Sequence, residues 1–278
     1  MIDNYFKNNL PIFENFHFIV VNSSAGKDSQ TALRQTVLLS SEHSFDRRNI
    51  CVSHQDLGRM EWPGTKELAY KQAGFYGIEF IVSKYRTKHG KHLELLDYVK
   101  KRCKWPSAKN RYCTSDFKRT PGGRILTMKG REAKQDGIKC PVILNVYGFR
   151  AEESPARARK PKFTQNKRFS NKSRLVFDWL PIHHWTENEV WTDIHESGVP
   201  YHPAYDLGMP RLSCSFCIFA PRAALICAGH ARQEMLTEYV KVEDQIGHSF
   251  RQELSLSDIL KAVQNGEKPK NMNGNWNM

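Results

Sequence analysis

Short apolar runs alternate with segments of helical length over the first half of the chain, and this alternation predicts an α/β fold. The runs rich in β-forming residues are 16–21, 49–54, 79–83 and 141–148. Segments 29–43 and 62–77 lie between them and repeat apolar residues about one helical turn apart. Strands separated by helices favour a mostly parallel sheet with helices on both faces. The sequence therefore predicts a Rossmann-like three-layer sandwich, followed by a small C-terminal helical region.

The predicted organisation is one large domain over 1–205, a cysteine-containing helical region over 206–265 and a disordered tail over 266–278. The tail is predicted to be disordered because it is polar and rich in asparagine. Residues 151–177 lack apolar periodicity, so they are predicted to form a basic flap without regular structure. After this flap, Thr186 and Glu189 have the spacing of a capping box, which predicts a helix through about His195.

Composition favours a globular protein that works away from membranes. A chain of 278 residues with 40% hydrophobic residues can bury a substantial core. No apolar run approaches the roughly 20 residues of a membrane span, and the start "MIDNYFKNNL" lacks the order of a signal peptide. The seven cysteines are an odd number, which suits thiols or metal ligands better than disulfides. We therefore expect a cytoplasmic protein.

The formal net charge of +13 is concentrated in two stretches. Residues 84–134 contain sixteen Lys or Arg against four Asp or Glu, and residues 154–177 contain eight against none. Such stretches attract polyanions, which predicts a nucleic-acid partner or a phosphorylated substrate. A solvated basic face that keeps the protein soluble is the alternative. The aromatic residues Trp105, Tyr112 and Phe163 fit either stacking against bases or the core.

The stretch "NSSAGKDS", residues 22–29, joins an apolar run to a helix-like segment. A turn between a strand and a helix places backbone N–H groups and the positive end of a helix dipole where a phosphate can bind. A Walker A loop would need glycine in place of Val21, and Asp28 interrupts its Gly-Lys-Ser order. A plain turn with Asp28 or Ser29 as the helix N-cap remains the alternative.

This loop resembles the Ser-Gly-Gly-x-Asp-Ser loop of the PP-loop ATP pyrophosphatases, also called adenine nucleotide alpha hydrolases, with Ala25 in place of the second glycine. Five further segments follow in the order expected for the phosphoadenosine phosphosulfate (PAPS) reductase-like family: "SHQDLG" at 53–58, "RYCTSDFKRTP" at 111–121, "GFRAEESPARA" at 148–158, "LPIHHWTENEVWTDI" at 180–194 and "YDLGMPRLSCSFCIFA" at 205–220. The similarity spans about residues 16–220. Within this family the chain resembles the DNA phosphorothioation sulfurtransferases.

The resemblance implies an adenine-nucleotide site for ATP, or for PAPS or adenosine phosphosulfate. The implied nucleotide-binding residues are Ser24, Ala25, Gly26, Lys27, Asp28, Ser29, Asp56, Gly148, Arg150, Glu153, Ser154 and Arg157. Among them Lys27, Asp28, Arg150 and Arg157 are the expected catalytic residues. A carboxylate such as Asp28 can help to hold Mg²⁺, and the arginines supply planar forks for phosphate. Lys118 and Arg119 are further candidates for binding an anionic substrate.

The pair Cys214 and Cys217 has a spacing that suits one metal centre or a redox couple. The resemblance adds Cys113, and three such thiolates can hold a 4Fe-4S cluster, with Cys103 or Cys227 as a candidate fourth ligand. A zinc site formed by Cys103, Cys113, Cys214 and Cys217 is the alternative.

We expect an ATP pyrophosphatase and sulfurtransferase that activates an acceptor, nucleic acid by preference, for iron–sulfur-assisted sulfur transfer. A protein such as a cysteine desulfurase would donate the sulfur. The family's reductases use a C-terminal cysteine as nucleophile, and no cysteine follows Cys227 here. Two alternatives stay open: a PAPS or adenosine phosphosulfate reductase that releases sulfite, and a non-catalytic nucleotide-binding accessory or regulatory subunit. The oligomeric state is not predicted.

Overall fold

The predicted α/β fold is confirmed by a six-stranded, mostly parallel sheet in the computed structural model, which describes residues 2–270 and 272. The strands of the sheet are β3 (Phe18–Ser23), β4 (Ile50–Asp56), β5 (Glu79–Lys84), β6 (Val142–Val146), β7 (Phe163–Gln165) and β8 (Leu175–Trp179). Their order is β5-β4-β3-β6-β8-β7. Strand β3 is parallel to β4 and β6, β6 is parallel to β8, and β7 is an antiparallel edge strand. A separate hairpin consists of β1 (Phe6–Lys7) and β2 (Leu10–Pro11).

Helices follow most of the strands, as the alternation in the sequence predicts. The α-helices are α1 (Lys27–Glu42), α2 (Thr65–Phe75), α3 (Leu95–Arg102), α4 (Tyr112–Thr114), α5 (Thr120–Gln135), α6 (Pro155–Ala158), α7 (Glu187–Ser197), α8 (Arg222–Ala231), α9 (Gln233–Ile246) and α10 (Leu256–Gln264). A π-helical turn covers Ser115–Arg119. Short 3-10 turns cover Ile2–Asn4, Phe13–Asn15, Arg47–Asn49, Gly58–Met60, Ala151–Glu153 and Pro203–Tyr205.

Two apolar layers cover the sheet. Ile19 and Val21 of β3 pack with Leu33 of α1 on one face. The alternate residues Phe18 and Val20 belong to the cluster on the other face, which includes Ile125 and Leu126 of α5. Side chains of a strand point alternately to its two faces, so both layers are needed to bury the four consecutive apolar residues 18–21 of β3. This is the predicted three-layer arrangement.

The chain divides into two compact units. The first, here called the sheet unit, comprises the described residues of 1–55, 64–83 and 119–202; the second, the helical unit, comprises those of 56–63, 84–118 and 203–278. The sequence-based boundary at 205 assigns 56–63 and 84–118 to the first domain instead. They belong with the C-terminal helices because Leu95, Trp105 and Phe117 share one apolar core with Leu225 and Tyr239.

The prediction of an irregular flap over 151–177 is wrong for part of that segment. Strand β8 begins at Leu175, and its Val176 and Phe177 are fully buried in the sheet unit. Strand β7 pairs with it, and Phe163 stacks on Phe177 at a ring-centroid distance of 5.2 Å. Strand β7 has only three residues, too few for a readable alternation, and β8 begins inside the segment and ends beyond it. Pairing between β7 and β8 therefore defines β7 more than its local pattern does.

Three further predictions concern the aromatic residues, the C-terminal tail and membrane-spanning segments. Trp105, Tyr112 and Phe163 are only 2%, 2% and 7% exposed, so they belong to the core rather than to a stacking surface. In the predicted tail, Glu267 forms an ion pair with Arg222, whereas 271 and 273–278 lie outside the described residues. Across the described part of the chain, no helix is both long and apolar enough to cross a bilayer.

Candidate functional site

The loop at residues 24–26 connects β3 to α1 in the sheet unit and holds its own shape by hydrogen bonds. The hydroxyl of Ser29 accepts from Ser24 N at 3.2 Å and donates to Gly26 O at 2.9 Å. Ala25 lies in the left-handed region at φ 57° and is fully buried. That conformation costs a residue with a side chain about 1 kcal/mol or more, which explains why glycine is usual at this position. The loop accepts alanine at that cost.

Gly148 follows β6 and lies directly against the first turn of α1. A Cβ atom at Gly148 would lie 2.3 Å from the carbonyl oxygen of Asp28 and 2.8 Å from Ser29 N. No side chain fits at that distance, so glycine permits the two backbones to touch. The structure therefore brings Gly148 to the start of α1, and its role in nucleotide binding stays a prediction.

Arg150 comes next and is engaged by carboxylates. Its Nε donates to Asp28 Oδ1 at 2.5 Å, and its Nη1 donates to Glu152 Oε2 at 2.5 Å. The Arg150 side chain is only 3% exposed. Burial alone would lower the pKa of Arg150, but Asp28, Glu153 and Glu152 together raise it above its ordinary value. Arg150 is therefore a fixed counter-ion of Asp28 in this arrangement, rather than an open phosphate fork.

Glu153, Ser154 and Arg157 brace one another around the short helix α6. Glu153 accepts a hydrogen bond from Arg150 N at 3.0 Å and forms an ion pair with Arg157. Ser154 Oγ accepts from Arg157 N at 3.3 Å, which caps α6. The Arg157 guanidinium also lies 4.6 Å from the ring centroid of Phe149. Arg157 is 23% exposed, so it is the more accessible of the two predicted arginines.

Two carboxylates of this site were missed by the sequence reasoning, namely Glu152 and Glu187. Lys27 is 2% exposed, and its Nζ lies 3.2 Å from Glu187 Oε1 and 4.0 Å from Asp28 Oδ2. Glu152 Oε2 also accepts from Glu187 N at 2.8 Å, which ties α7 to Arg150. The available signal was the acid directly after the N-cap Thr186, whose capping box is confirmed. An acid there reads first as a partner of the helix dipole.

Three other predicted site residues, Asp56, Lys118 and Arg119, are described by their own contacts and exposure. Asp56 belongs to the helical unit, where it pairs with Lys84 at 2.9 Å and accepts from Gly58 N at 2.7 Å. Lys118 and Arg119 are both exposed and fall in different units. The nucleotide role of Asp56 and the substrate role of the two cations stay predictions.

The three predicted cysteine ligands lie near one another in the helical unit. Burial raises the pKa of the Cys214 thiol, and Lys118 acts in the opposite direction, followed by the effects of Cys217 and Cys113. The side chain of Lys118 is exposed but has many protein atoms around it. Desolvation alone would lower the pKa of Lys118, but the thiols of Cys214, Cys113 and Cys217 raise it. Lys118 therefore opposes the effect of burial on the Cys214 thiol without outweighing it.

The segment that carries Cys214 and Cys217 is pinned by backbone and arginine contacts. Cys214 forms an isolated β-bridge with Glu61, and Ser215 N donates to Met60 O at 2.9 Å. The half-buried guanidinium of Arg232 donates to Ser215 Oγ at 2.5 Å. The conformation between the two cysteines is therefore held by neighbouring protein groups.

Within residues 2–270 and 272, no group of three or more His, Cys, Asp or Glu side chains has converged far enough to hold a metal ion. The donors fit an iron–sulfur cluster or zinc in chemical kind, and the three side chains would have to close further. Each candidate fourth ligand donates a hydrogen bond to a backbone carbonyl. The exposed Cys103 donates to Lys100 O at 3.4 Å, and the buried Cys227 donates to Leu207 O at 3.3 Å. Burial raises the pKa of Cys227.

Comparison with known families gives one match that covers most of the chain. The model of the phosphoadenosine phosphosulfate reductase domain matches residues 18–220. Adenosine 5'-phosphosulfate reductase from Bacillus mycoides (strain KBAB4) is 32% identical over 72 residues, which are 26% of this chain and 29% of that protein. An uncharacterized 37.8 kDa protein of Escherichia phage 186 is 28% identical over 127 residues, 44% of this chain and 35% of that one. These matches therefore span about a third of the length of each relative.

Solved structures resemble the chain distantly. PAPS reductase from Candida auris, in a phosphate complex, has a TM-score of 0.45 at 17% identity and covers 73% of this chain and 84% of its own. The U34-tRNA thiolase NcsA from Methanococcus maripaludis, with its [4Fe-4S] cluster, has a TM-score of 0.41 at 12% identity, with 94% and 74% covered.

Proposed function

The chain belongs to the phosphoadenosine phosphosulfate reductase domain family, and on that basis we propose that it binds ATP at the loop of residues 24–29 and cleaves it between the α and β phosphates. The cleavage activates an acceptor, nucleic acid by preference, for sulfur transfer. The observation that carries the proposal is the Asp28–Arg150 ion pair beside the N-terminus of α1, at 2.5 Å. It sets a carboxylate for Mg²⁺ next to a helix end that favours phosphate.

Asp28 is suited to a cation because only part of its carboxylate is used. Oδ1 accepts from Arg150, while Oδ2 is 4.0 Å from Lys27 Nζ, and the side chain is 18% exposed. Mg²⁺ usually takes one or two carboxylate oxygens together with substrate phosphates. Asp28 would hold the ion through Oδ2, and Arg150 would keep the carboxylate oriented.

The local charges favour ATP over a sulfonucleotide. The cations Lys27, Arg150 and Arg157 are each paired with a carboxylate, and the acids Asp28, Glu152, Glu153 and Glu187 outnumber them. An acidic surround repels a bare anion and attracts one that arrives with a divalent cation. ATP bound to Mg²⁺ meets that requirement. A PAPS or adenosine phosphosulfate reductase is the second candidate, because the adenosine 5'-phosphosulfate reductase from Bacillus mycoides (strain KBAB4) is 32% identical to the chain over 72 residues.

A nucleic-acid acceptor is supported by exposed cations after α6. The segment 154–177 has no acid, and five of its basic residues are exposed: Arg159, Lys160, Lys167, Arg168 and Lys172. Lys and Arg that contact phosphates supply most of the affinity for nucleic acid, in a salt-dependent way. We therefore expect binding to weaken steeply as the salt concentration rises.

The cysteines of the helical unit would deliver the sulfur. Cys113, Cys214 and Cys217 would hold a 4Fe-4S cluster, which supplies an iron site able to carry sulfur when it is bound. Lys118 would offset the negative charge of the three thiolates, since those thiols already raise its pKa. A protein such as a cysteine desulfurase would replenish the sulfur.

The nucleotide part is tested with purified protein, ATP and Mg²⁺ by measuring AMP and pyrophosphate. Asp28→Asn keeps the size of the side chain and removes its charge, so we expect about tenfold weaker nucleotide binding or more. Asp136→Asn, at an exposed acid after α5, is the matched control. Normal turnover by Asp28→Asn would contradict the proposal. Sulfite release from PAPS or adenosine phosphosulfate with thioredoxin would favour the reductase, and binding without cleavage would favour an accessory subunit.

The cysteine part is tested by metal analysis and visible absorbance after anaerobic purification. We expect iron in the wild type and its loss in Cys214→Ser, with nucleotide binding retained. Cys140→Ser replaces an exposed cysteine outside the group of three and should keep the iron. Zinc without iron would support the Cys₄ zinc alternative, and the absence of both metals would overturn the metal proposal.

A further inference from the structure

We propose that Glu187 is a displaceable counter-ion, which neutralises Lys27 while the loop holds no nucleotide and releases it to the phosphates when a nucleotide binds. The inference rests on the proposed nucleotide site. Its starting point is the contact between Lys27 Nζ and Glu187 Oε1 at 3.2 Å. Glu187 would thereby lower the affinity for the nucleotide and make the loop selective for ligands with concentrated negative charge.

Lys27 needs a counter-charge because it is buried. Its side chain is 2% exposed, although it is the first residue of α1. An ammonium group removed from water is strongly disfavoured unless carboxylates or other acceptors compensate for the lost hydration. Glu187 makes the shorter of its two recorded carboxylate contacts, since Asp28 Oδ2 is 4.0 Å away. Asp28 is also shared with Arg150, at 2.5 Å.

The carboxylate of Glu187 can leave Lys27, because the backbone of Glu187 is held in place and its side chain is free to rotate. Its N–H donates to Glu152 Oε2 at 2.8 Å, and its position in the first turn of α7 is stabilised by the helix dipole. Its side chain is 48% exposed, so the carboxylate can rotate into water without breaking the helix start. Because Lys27 is buried, release of Glu187 is costly while the loop is empty, so we expect it only when phosphate oxygens take the place of the carboxylate.

A pyrophosphate group at the loop is the stronger partner for Lys27. It carries several negative charges within a few ångströms, whereas Glu187 carries one and shares it with water. Lys27 would therefore exchange a carboxylate for phosphate oxygens without leaving a buried charge unpaired at any stage. In the nucleotide complex Glu187 would face solvent.

The test compares binding of Mg²⁺-ATP and of inorganic pyrophosphate to the full chain by calorimetry. Glu187→Gln removes the competing charge, so we expect both ligands to bind about fivefold to tenfold more tightly. Glu187→Asp keeps the charge on a shorter side chain and should give an intermediate affinity. Glu196→Gln, at an exposed acid on the same helix, should leave the affinity unchanged. In a Lys27→Met background, Glu187→Gln should have no effect.

The outcomes separate this inference from the proposed function. If the wild type binds ATP and Glu187→Gln binds it equally or more weakly, the counter-ion inference is overturned and the nucleotide site stands. If ATP does not bind but pyrophosphate binds more tightly to Glu187→Gln, the inference holds and the ATP proposal fails. Binding of neither ligand to the wild type overturns both. An effect of Glu187→Gln that persists in the Lys27→Met background also contradicts the inference, because the pair would then not be its cause.

Discussion

Replacing Gly148 by alanine tests whether the end of β6 must touch the start of α1 for the loop to bind phosphate. The substitution adds one methyl group and removes no hydrogen bond. That methyl carbon would lie 2.3 Å from Asp28 O, 2.5 Å from Asp28 C and 2.8 Å from Ser29 N. All three atoms are backbone, so no side chain can turn aside to make room.

The expected magnitude follows from those distances. Non-bonded carbon contacts settle near 3.5 Å, so the two backbones must separate by about 1 Å. Overpacking of this kind costs typically about 1–3 kcal/mol, and we expect the upper half of that range because helix backbone has to move. A displacement of about 1 Å can reduce catalysis by about 100-fold. Gly148→Ala should therefore lower both the unfolding free energy and nucleotide binding.

The assay is urea unfolding followed by circular dichroism, together with calorimetric binding of Mg²⁺-ATP. Gly122→Ala is the matched control, because a Cβ there meets its nearest atom, Gln55 Nε2, at an ordinary 3.6 Å. Alanine is favoured over glycine in a helix by about 1 kcal/mol, so that variant should be as stable as the wild type or slightly more so. If Gly148→Ala matched Gly122→Ala in stability and binding, the close-contact reasoning would be refuted.

Two predictions concern titrating groups. Burial raises the pKa of Cys51 to about 12, so its thiol should resist iodoacetamide at pH 8, while the exposed Cys103 and Cys140 react. Labelling is measured by mass spectrometry, and rapid labelling of Cys51 in native protein would contradict this prediction. The hydrogen bond from Arg59 lowers the pKa of Asp97 below 3.8, so the stability it contributes is complete above that pH and is lost as the pH falls. Asp97→Asn should flatten the decrease in unfolding free energy under acidic conditions, and an unchanged profile would refute that assignment.

Local patterns predicted the elements that are long or chemically marked. Strand β3 begins with the apolar run 18–21, which the sequence shows directly, because both faces of the sheet are buried at those positions. The capping box at Thr186 marked the start of α7 because cap and N3 residue are only three positions apart. By contrast, β7 has three residues and no pattern of its own, and it exists because β8 lies beside it.

Most residues of the candidate site could be predicted from the sequence, but their pairing could not. The residues of the loop, the motif around Arg150 and the cysteine pair could all be predicted, because each motif is contiguous and its residue types imply its chemistry. Which carboxylate serves which cation could not. The structure pairs the Arg150 guanidinium with Asp28 and Glu152, and it pairs Glu153 with Arg157.

The amino-acid sequence by itself determined the α/β fold and the position of the loop after β3, since both follow from contiguous patterns of residues. Tertiary structure alone decided that Arg150 pairs with Asp28 across 122 positions of sequence and that Lys27 pairs with Glu187 of α7. The physical reason is that local conformation depends on neighbours within a turn or two, whereas an ion pair depends on where packing places two distant elements. Those long-range ion pairs place charged side chains around the loop between β3 and α1 and hold them in position.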